Sequence, residues 1–297
     1  MTVTPHYNLY RYDPNIPLAI VALVIFAILT VIVSYQSYRY KTRYMYGVAS
    51  GAAGEAIGFA IRIWSGQPAN DGIIASFAAS TVFLLLPPIV IALGSYLAVA
   101  NIILRSNYRT KFIQPAVIEK AFLSIDIICF GVQAMGGGMM AIQSVASIGS
   151  NIALVGLSLA LASLITFSIM TFYVQRTPEF TFRLLRDDQK GATDWRILYW
   201  PIWINIAALL IRSVYRIAEF AQGYQGYLIS HEVYFYVFDS LMMLIAILAY
   251  IIIPPGRYLR PELIEQQCFA MNQSKAESDM LNGTVGDSAD IKSAKLY

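Results

Sequence analysis

Eight ionisable side chains sit inside or at the edge of long apolar runs in this 297-residue sequence: Glu55, Arg62, Asp126, Arg212, Arg216, Glu219, Glu232 and Asp239. Such groups are costly in hydrocarbon unless they are paired, so each is a candidate for binding or passing on a polar group. At 100° per helical residue, a separation of seven returns to within about 20° of the starting direction, which puts Glu55 and Arg62 on one helix face. The same spacing aligns Asp126 with Gln133, Arg212 and Arg216 with Glu219, and Glu232 and Tyr236 with Asp239. Four polar stripes facing one another, away from lipid, account for all of these residues. With all eight groups ionised, five carboxylates meet three guanidiniums, so either some carboxylates stay protonated or the core accommodates a cation. The plainer alternative is an ion-pair network that only locks the helices together.

Counting removes several kinds of chemistry. The chain has two histidines, His6 and His231, where a membrane zinc hydrolase needs three on its metal. Asp126 and Asp239 are conceivable as an aspartyl protease pair but lack a Gly-x-Gly-Asp context. The last apolar run contains no lysine for a retinal Schiff base, and nothing resembles a nucleotide-binding loop. Cys129 and Cys268 are too few for a disulfide scaffold, and a net charge of +3 implies no nucleic-acid partner. No catalytic residue, metal site or cofactor is expected. Glu55, Arg62, Asp126, Gln133, Arg212, Arg216, Glu219, Glu232, Tyr236 and Asp239 are the candidate ligand-binding residues or polar core.

The elements that must position these residues follow from composition. Hydrophobic residues make up 57% of the chain and charged ones 13%, against about 25% charged in an ordinary soluble protein, so the solvent is largely lipid. Seven runs are long enough for helices crossing a core about 30 Å thick: Pro17 to Ser34, Tyr44 to Trp64, Ile73 to Leu104, Ala116 to Ile142, Ile148 to Gln175, Ile197 to Gln222 and His231 to Ile253. A β-barrel would show alternating segments of about ten residues instead. The expected fold is therefore an all-α, seven-helix membrane bundle.

Basic residues collect in the first, third and fifth connections, among them Arg39, Lys41, Arg43, Arg105, Arg109, Lys111, Arg183 and Lys190, while the second, fourth and sixth have none. Positive loops stay inside, so the amino terminus is expected outside and the carboxyl tail in the cytoplasm. The expected organisation is an external segment 1–16, a membrane domain 17–256 and a disordered cytoplasmic tail 257–297. Tyr35, Tyr38, Tyr40 and Tyr44 are read as anchors at one membrane interface, and Trp64, Tyr224 and Tyr227 at the other. Pro87 and Pro88 interrupt the third run, giving a kink, a hinge or carbonyls exposed to a cavity. Gly136, Gly137 and Gly138 permit close backbone approach or a break in the fourth helix.

These residues, in this order, resemble the fungal RTA-like proteins, the lipid-translocating exporter family. The likeness covers roughly Tyr10 to Leu259. It is carried by Glu55-Ala-Ile-Gly-Phe-Ala-Ile-Arg62, Leu85-Leu-Pro87 with Tyr96, and Asp126 through Gln133 to Gly136-Gly-Gly138. It continues with Arg212-Ser-Val-Tyr-Arg216-Ile-Ala-Glu219, Gly223, Gly226, Glu232-Val-Tyr-Phe-Tyr236-Val-Phe-Asp239 and Pro255-Gly256. The chain has Ala160 where the family usually has Gln, and Pro254 where it usually has His. The resemblance implies seven helices, plasma-membrane placement and export of, or resistance to, amphiphiles such as sphingoid long-chain bases, an aminosterol or porphyrins. Membrane lipids or amphiphilic small molecules are then the expected partners. A seven-helix receptor or sensor of lipid or membrane stress is the alternative, against which stands the absence of an acidic-Arg pair in Asn101-Ile-Ile-Leu-Arg105.

Overall fold

The computed structural model describes residues 15–42, 45–67, 74–105, 115–140, 145–177, 195–222, 226–228 and 231–255. The segments 1–14, 106–114, 178–194 and 256–297 lie outside the described residues, and with them much of the loop charge and the whole of the expected tail. Among the described residues the chain is helical throughout. Its helices are α1 (Ile16–Arg39), α2 (Met45–Ser65), α3 (Ile74–Leu85), α4 (Pro87–Arg105), α5 (Pro115–Met140), α6 (Ala146–Arg176), α7 (Tyr199–Ala221), α8 (Glu232–Phe235) and α9 (Leu241–Ile252). A π turn, Tyr236–Ser240, joins α8 to α9 into one last rod.

Helix thus covers each of the seven apolar runs. Among the described residues, five stretches are long and apolar enough to cross a membrane: Ile16–Arg39, Ala79–Leu104, Ser147–Arg176, Tyr199–Ala221 and Glu232–Ile252. The other two helices, α2 and α5, carry Glu55 with Arg62 and Asp126 with Gln133. Charged side chains in a short helix offset its apolar residues, which is why α2 reads weakly by composition although it has 21 residues.

The α1 helix shows why the environment is lipid. Ala19, Ala22, Phe26, Leu29, Val33 and Ser37 form a buried stripe at spacings of three and four. The opposite face presents Val21, Val24, Ile28 and Val31, all exposed. A helix that is apolar on both its packed and its outward face fits a hydrocarbon surround and not water. The Asn15 side chain accepts from the Leu18 N–H to cap the start of α1, and Pro17 in the first turn needs no donor there. At the other end Lys41 adopts φ 51°, a left-handed residue that ends the helix and turns the chain into α2.

The packing closes into a ring: α1 against α2, α2 against α3 and α4, α4 against α5, α5 against α6, α6 against α7, α7 against α9, and α9 against α1. The last contact is tied at both ends. Glu232 Oε2 accepts from the Asn15 N–H at 2.9 Å, and Gln36 Nε2 donates to the Ile251 carbonyl at 3.1 Å, one of the orphan acceptors at the end of α9. The α4 helix also touches α7 and α9, so it lies toward the middle of the bundle.

The third run is interrupted where expected: α3 and α4 meet at Leu86 because neither Pro87 nor Pro88 has an N–H to continue the ladder, while Ala79–Leu104 remains one stretch long and apolar enough to cross. Glycine-mediated contact wedges α2 into that break: a Cβ on Gly58 would lie 2.8 Å from Leu84 Cδ2. Helix α5, by contrast, runs unbroken through Gly136, Gly137 and Gly138. Only Gly136 of the three is in tight contact, where a Cβ would meet the Ala153 N at 2.5 Å and the Gly149 carbonyl at 2.6 Å. Two glycines facing each other let the α5 and α6 backbones touch.

Candidate functional site

The double-proline break produces the first functional geometry. In a continuous helix the Leu84 carbonyl would accept from the N–H four residues on, which is Pro88 and has none. Arg212 of α7 supplies the donor instead, with Nη2 2.9 Å from that carbonyl. The Arg212 Nε also lies 2.7 Å from Asp239 Oδ1, a charge contact whose N–H is not aimed along the hydrogen-bond line. One guanidinium therefore connects α7, the break before α4 and the last rod.

Arg216, one turn further along α7, grips the same carboxylate with a fork. Its Nε donates to Asp239 Oδ1 at 2.9 Å and its Nη2 to Oδ2 at 2.7 Å. Planar two-point pairing of this kind is among the strongest side-chain contacts available. The Arg216 Nη1 donates to Glu219 Oε2 at 2.9 Å, and Tyr215 donates its hydroxyl to the other Glu219 oxygen at 3.3 Å. Asp239 is fully enclosed and lies within the π turn, where an extra residue per turn widens the helix and re-aims its side chains.

A second ion pair flanks this one. Arg62 Nη2 donates to Glu232 Oε1 at 3.0 Å, joining α2 to the start of α8. Phe235 lies between the two pairs, with the Arg62 guanidinium 4.7 Å and the Arg216 guanidinium 5.6 Å from its ring centre. The ring face offers each cation an additional attraction and separates the two charges. Phe59 stacks beside it on Tyr236 at 6.0 Å, so the apolar positions of α2 and α8 hold the polar ones in register.

Glu55 is the exception. It is wholly buried on α2, in the field of Asp239, Arg212 and Arg216, yet among the described residues neither carboxyl oxygen has a hydrogen-bond partner. The cluster formed by α2, α7 and the last rod holds four carboxylates, Glu55, Glu219, Glu232 and Asp239, against three guanidiniums, Arg62, Arg212 and Arg216. The unmatched carboxyl is the one without a partner.

The fourth expected stripe is placed differently. Asp126 on α5 accepts from the Tyr96 hydroxyl of α4 at 2.7 Å and from the Ser163 hydroxyl of α6 at 3.4 Å, with no arginine in contact among the described residues. Tyr96 is locked in a ring cluster with Phe122 and Phe167 at 5.4 and 4.5 Å. Gln133 packs over α6 at Gly156, where an added Cβ would lie 2.9 Å from its Cγ. The four facing stripes are thus one three-stripe charge cluster and a separate neutral-donor site around Asp126. A third buried knot was not foreseen from sequence. The Ser95 hydroxyl donates to Asn205 Oδ1 at 3.2 Å and lies 2.6 Å from the Tyr250 hydroxyl, linking α4, α7 and α9. Single serines, asparagines and tyrosines in apolar runs signal nothing by charge, and only their convergence on α4 makes them a unit.

Residues 48–262, which include every residue of these clusters, match the model of the family described as RTA1 like protein. The chain belongs to that family. As an RTA1-like protein with several helices able to span a bilayer, it is an integral membrane protein. It is 28% identical to Protein RTA1 of Saccharomyces cerevisiae over 278 residues, covering 84% of this chain and 85% of that one. It is also 28% identical to the sphingoid long-chain base transporter RSB1 of the same yeast, covering 82% of this chain and 72% of the relative. Protein RTM1 matches at 28% over 68% of this chain and 64% of its own length. No solved structure matches the chain.

Proposed function

We propose that this protein translocates single-chain amphiphilic lipids with a cationic or hydrogen-bonding head, of the sphingoid long-chain base type, across the plasma membrane. The bundle is read as seven spans, α3 with α4 forming one and α8 with α9 another, with the amino terminus outside and the tail in the cytoplasm. The observation that carries the reading is Glu55, a fully buried carboxyl with no partner beside a cluster that already has as many carboxylates as guanidiniums without it. A lone buried carboxylate costs several kcal/mol, so the site is completed by something positive or by a proton. An ammonium head exchanges its water for carboxylate contacts while its chain stays in hydrocarbon. The relative named as a sphingoid long-chain base transporter supports the same substrate class.

Purified protein in liposomes tests this. A sphingoid base is expected to cross and its N-acylated neutral counterpart to be left behind, with Glu55→Gln slowing the base by about tenfold, the loss of about 1.4 kcal/mol of differential binding. Asp126→Asn is expected to keep the preference for the base, since Asp126 already has hydroxyl partners. Equal movement of both lipids, unchanged by Glu55→Gln, overturns the proposal. Binding of the base without any movement assigns the protein to sensing instead.

A further inference from the structure

One ionisable side chain of the buried core stands apart from the charge cluster. Asp126 is buried on α5, and its carboxylate is held by two hydroxyls alone, those of Tyr96 at 2.7 Å and Ser163 at 3.4 Å. Helices α3, α4 and α6 pack on α5. Of these, α3 contains no titratable side chain, and α4 presents Tyr96, with Arg105 nine residues further on. On α6, Tyr173 and Arg176 come ten and thirteen residues after Ser163. On α5 itself Cys129 is in the next turn, while Glu119 and Lys120 lie nearly two turns before Asp126. Among the described residues, no positive charge offsets that of Asp126.

The α5 and α6 helices run antiparallel in one register, which sets Asp126 opposite Ser163, Phe122 opposite Phe167 at 5.5 Å and Gln133 opposite Gly156. The two sides of Asp126 differ. One turn toward Pro115, the Phe122 and Phe167 rings pack with that of Tyr96, at 5.4 and 4.5 Å, and close the interior. Beyond this seal the register sets Glu119 level with Thr171, whose fully buried hydroxyl has no partner among the described residues. One turn toward Gln133 the level holds only the small side chains of Cys129 and Ala160. Spaced by seven, Glu119, Asp126 and Gln133 share one face of α5, with the rings lying across it between the first two.

We propose that Asp126 binds and releases a proton, reached from the Gln133 side and sealed by the rings on the other, and that this site couples the bundle to a proton gradient. The inference rests on the translocation reading above and supplies its energy source. A carboxylate held in hydrocarbon by neutral donors alone keeps its whole charge, so a proton is the counter-charge that this surround leaves room for. The partners suit both states. A hydroxyl donates to the ionised form and, by turning, accepts from the protonated one, whereas the guanidiniums on Asp239 can only donate. Helix α4 carries the change to the lipid site. Its Tyr96 holds Asp126, and the adjacent Ser95 is tied to Asn205 on α7 and Tyr250 on α9. Helix α2 lies directly on α4: a Cβ on Gly51 would sit 2.7 Å from Ile91 Cγ1, and one on Gly94 2.7 Å from Val48 Cγ2. Glu55 is one turn from Gly51, so a shift of Tyr96 on protonation moves the surface against which the Glu55 helix is packed.

Infrared difference spectra of the full-length protein in nanodiscs, taken between alkaline and acid buffer, read the proton itself. A protonated-carboxyl band is expected that Asp126→Asn removes and Glu55→Gln leaves in place. Tyr96→Phe is expected to shift that band by taking away a hydrogen bond, in a chain that keeps the carboxyl. A spectrum that neither Asp126→Asn nor Tyr96→Phe alters overturns the proposal. Liposomes read the coupling, with a single-chain quaternary ammonium amphiphile whose head cannot titrate, at zero membrane potential. With one proton exchanged per molecule, a pH difference of one unit is expected to sustain about tenfold accumulation in the wild type and none in Asp126→Asn. Accumulation that Asp126→Asn retains, movement that ignores the pH difference, or accumulation driven by a sodium gradient instead overturns the coupling. An Asp126-dependent band in a protein that moves no amphiphile upholds the proton site and defeats the translocation reading.

Discussion

Replacing Asp239 by Asn removes the one carboxylate shared by two guanidiniums. Asp239 accepts two hydrogen bonds from Arg216, at 2.9 and 2.7 Å, and a charge contact from Arg212 at 2.7 Å, all in a position without solvent exposure. Asn keeps the shape and one neutral acceptor but removes the charge and turns an NH2 toward a guanidinium, so Arg212 keeps the Leu84 carbonyl without its carboxylate contact and Arg216 keeps Glu219 as its one hydrogen-bonded carboxylate. Removing one partner of a buried pair costs about 3–5 kcal/mol, most of it the penalty of the charge left behind. Arg212→Gln alone removes a cation from a cluster already short of one and orphans the Leu84 carbonyl, at a cost of about 2–4 kcal/mol by the same reasoning. Made together, the two changes delete one charge of each sign. The double variant is therefore expected to be more stable than the sum of the single losses predicts, by about 1–3 kcal/mol. Reversible unfolding of the purified protein in mixed micelles, titrated with a denaturing detergent, reads all three free energies. Additivity to within about 0.5 kcal/mol would refute the idea that Arg212 and Asp239 act as one unit.

The glycines of α5 separate by environment: Gly136→Ala, whose Cβ would sit 2.5 Å from the Ala153 N, is expected to lose about 1–3 kcal/mol in the same assay. Gly138→Ala, which meets nothing within 4 Å, is expected to be neutral or to gain up to about 1 kcal/mol from helix propensity, and equal losses at both positions would show that α5 and α6 do not touch as described. For the orientation, Asn272-Gln-Ser274 and Asn282-Gly-Thr284 are expected to remain unglycosylated in a cytoplasmic tail, so an endoglycosidase-sensitive mass shift that vanishes on mutating both asparagines would refute the topology.

Long-range order along the chain was legible because lipid imposes a simple rule: a run of apolar residues must become helix to satisfy its own backbone, and an ionisable residue within it must turn away from hydrocarbon. Those two constraints are local, so the helix positions and the faces holding Glu55 with Arg62, Arg212 with Glu219, and Glu232 with Asp239 followed from spacing alone. The interruption of the third run followed from Pro87 and Pro88 in the same way, since a missing N–H is a property of the residue.

Which stripe faces which is not local. Helical periodicity gives Asp126 a face but no neighbour, and only packing placed α5 beside α4 and α6, where Tyr96 and Ser163 are the available donors. It was likewise packing that set Arg212 against the carbonyl released by Pro88, and that left Glu55 among charges but without a hydrogen bond. Partner choice in a bundle is decided by where small residues such as Gly58, Gly136 and Gly149 let backbones approach, because close contact at a few points fixes the rotation of every other side chain on the helix.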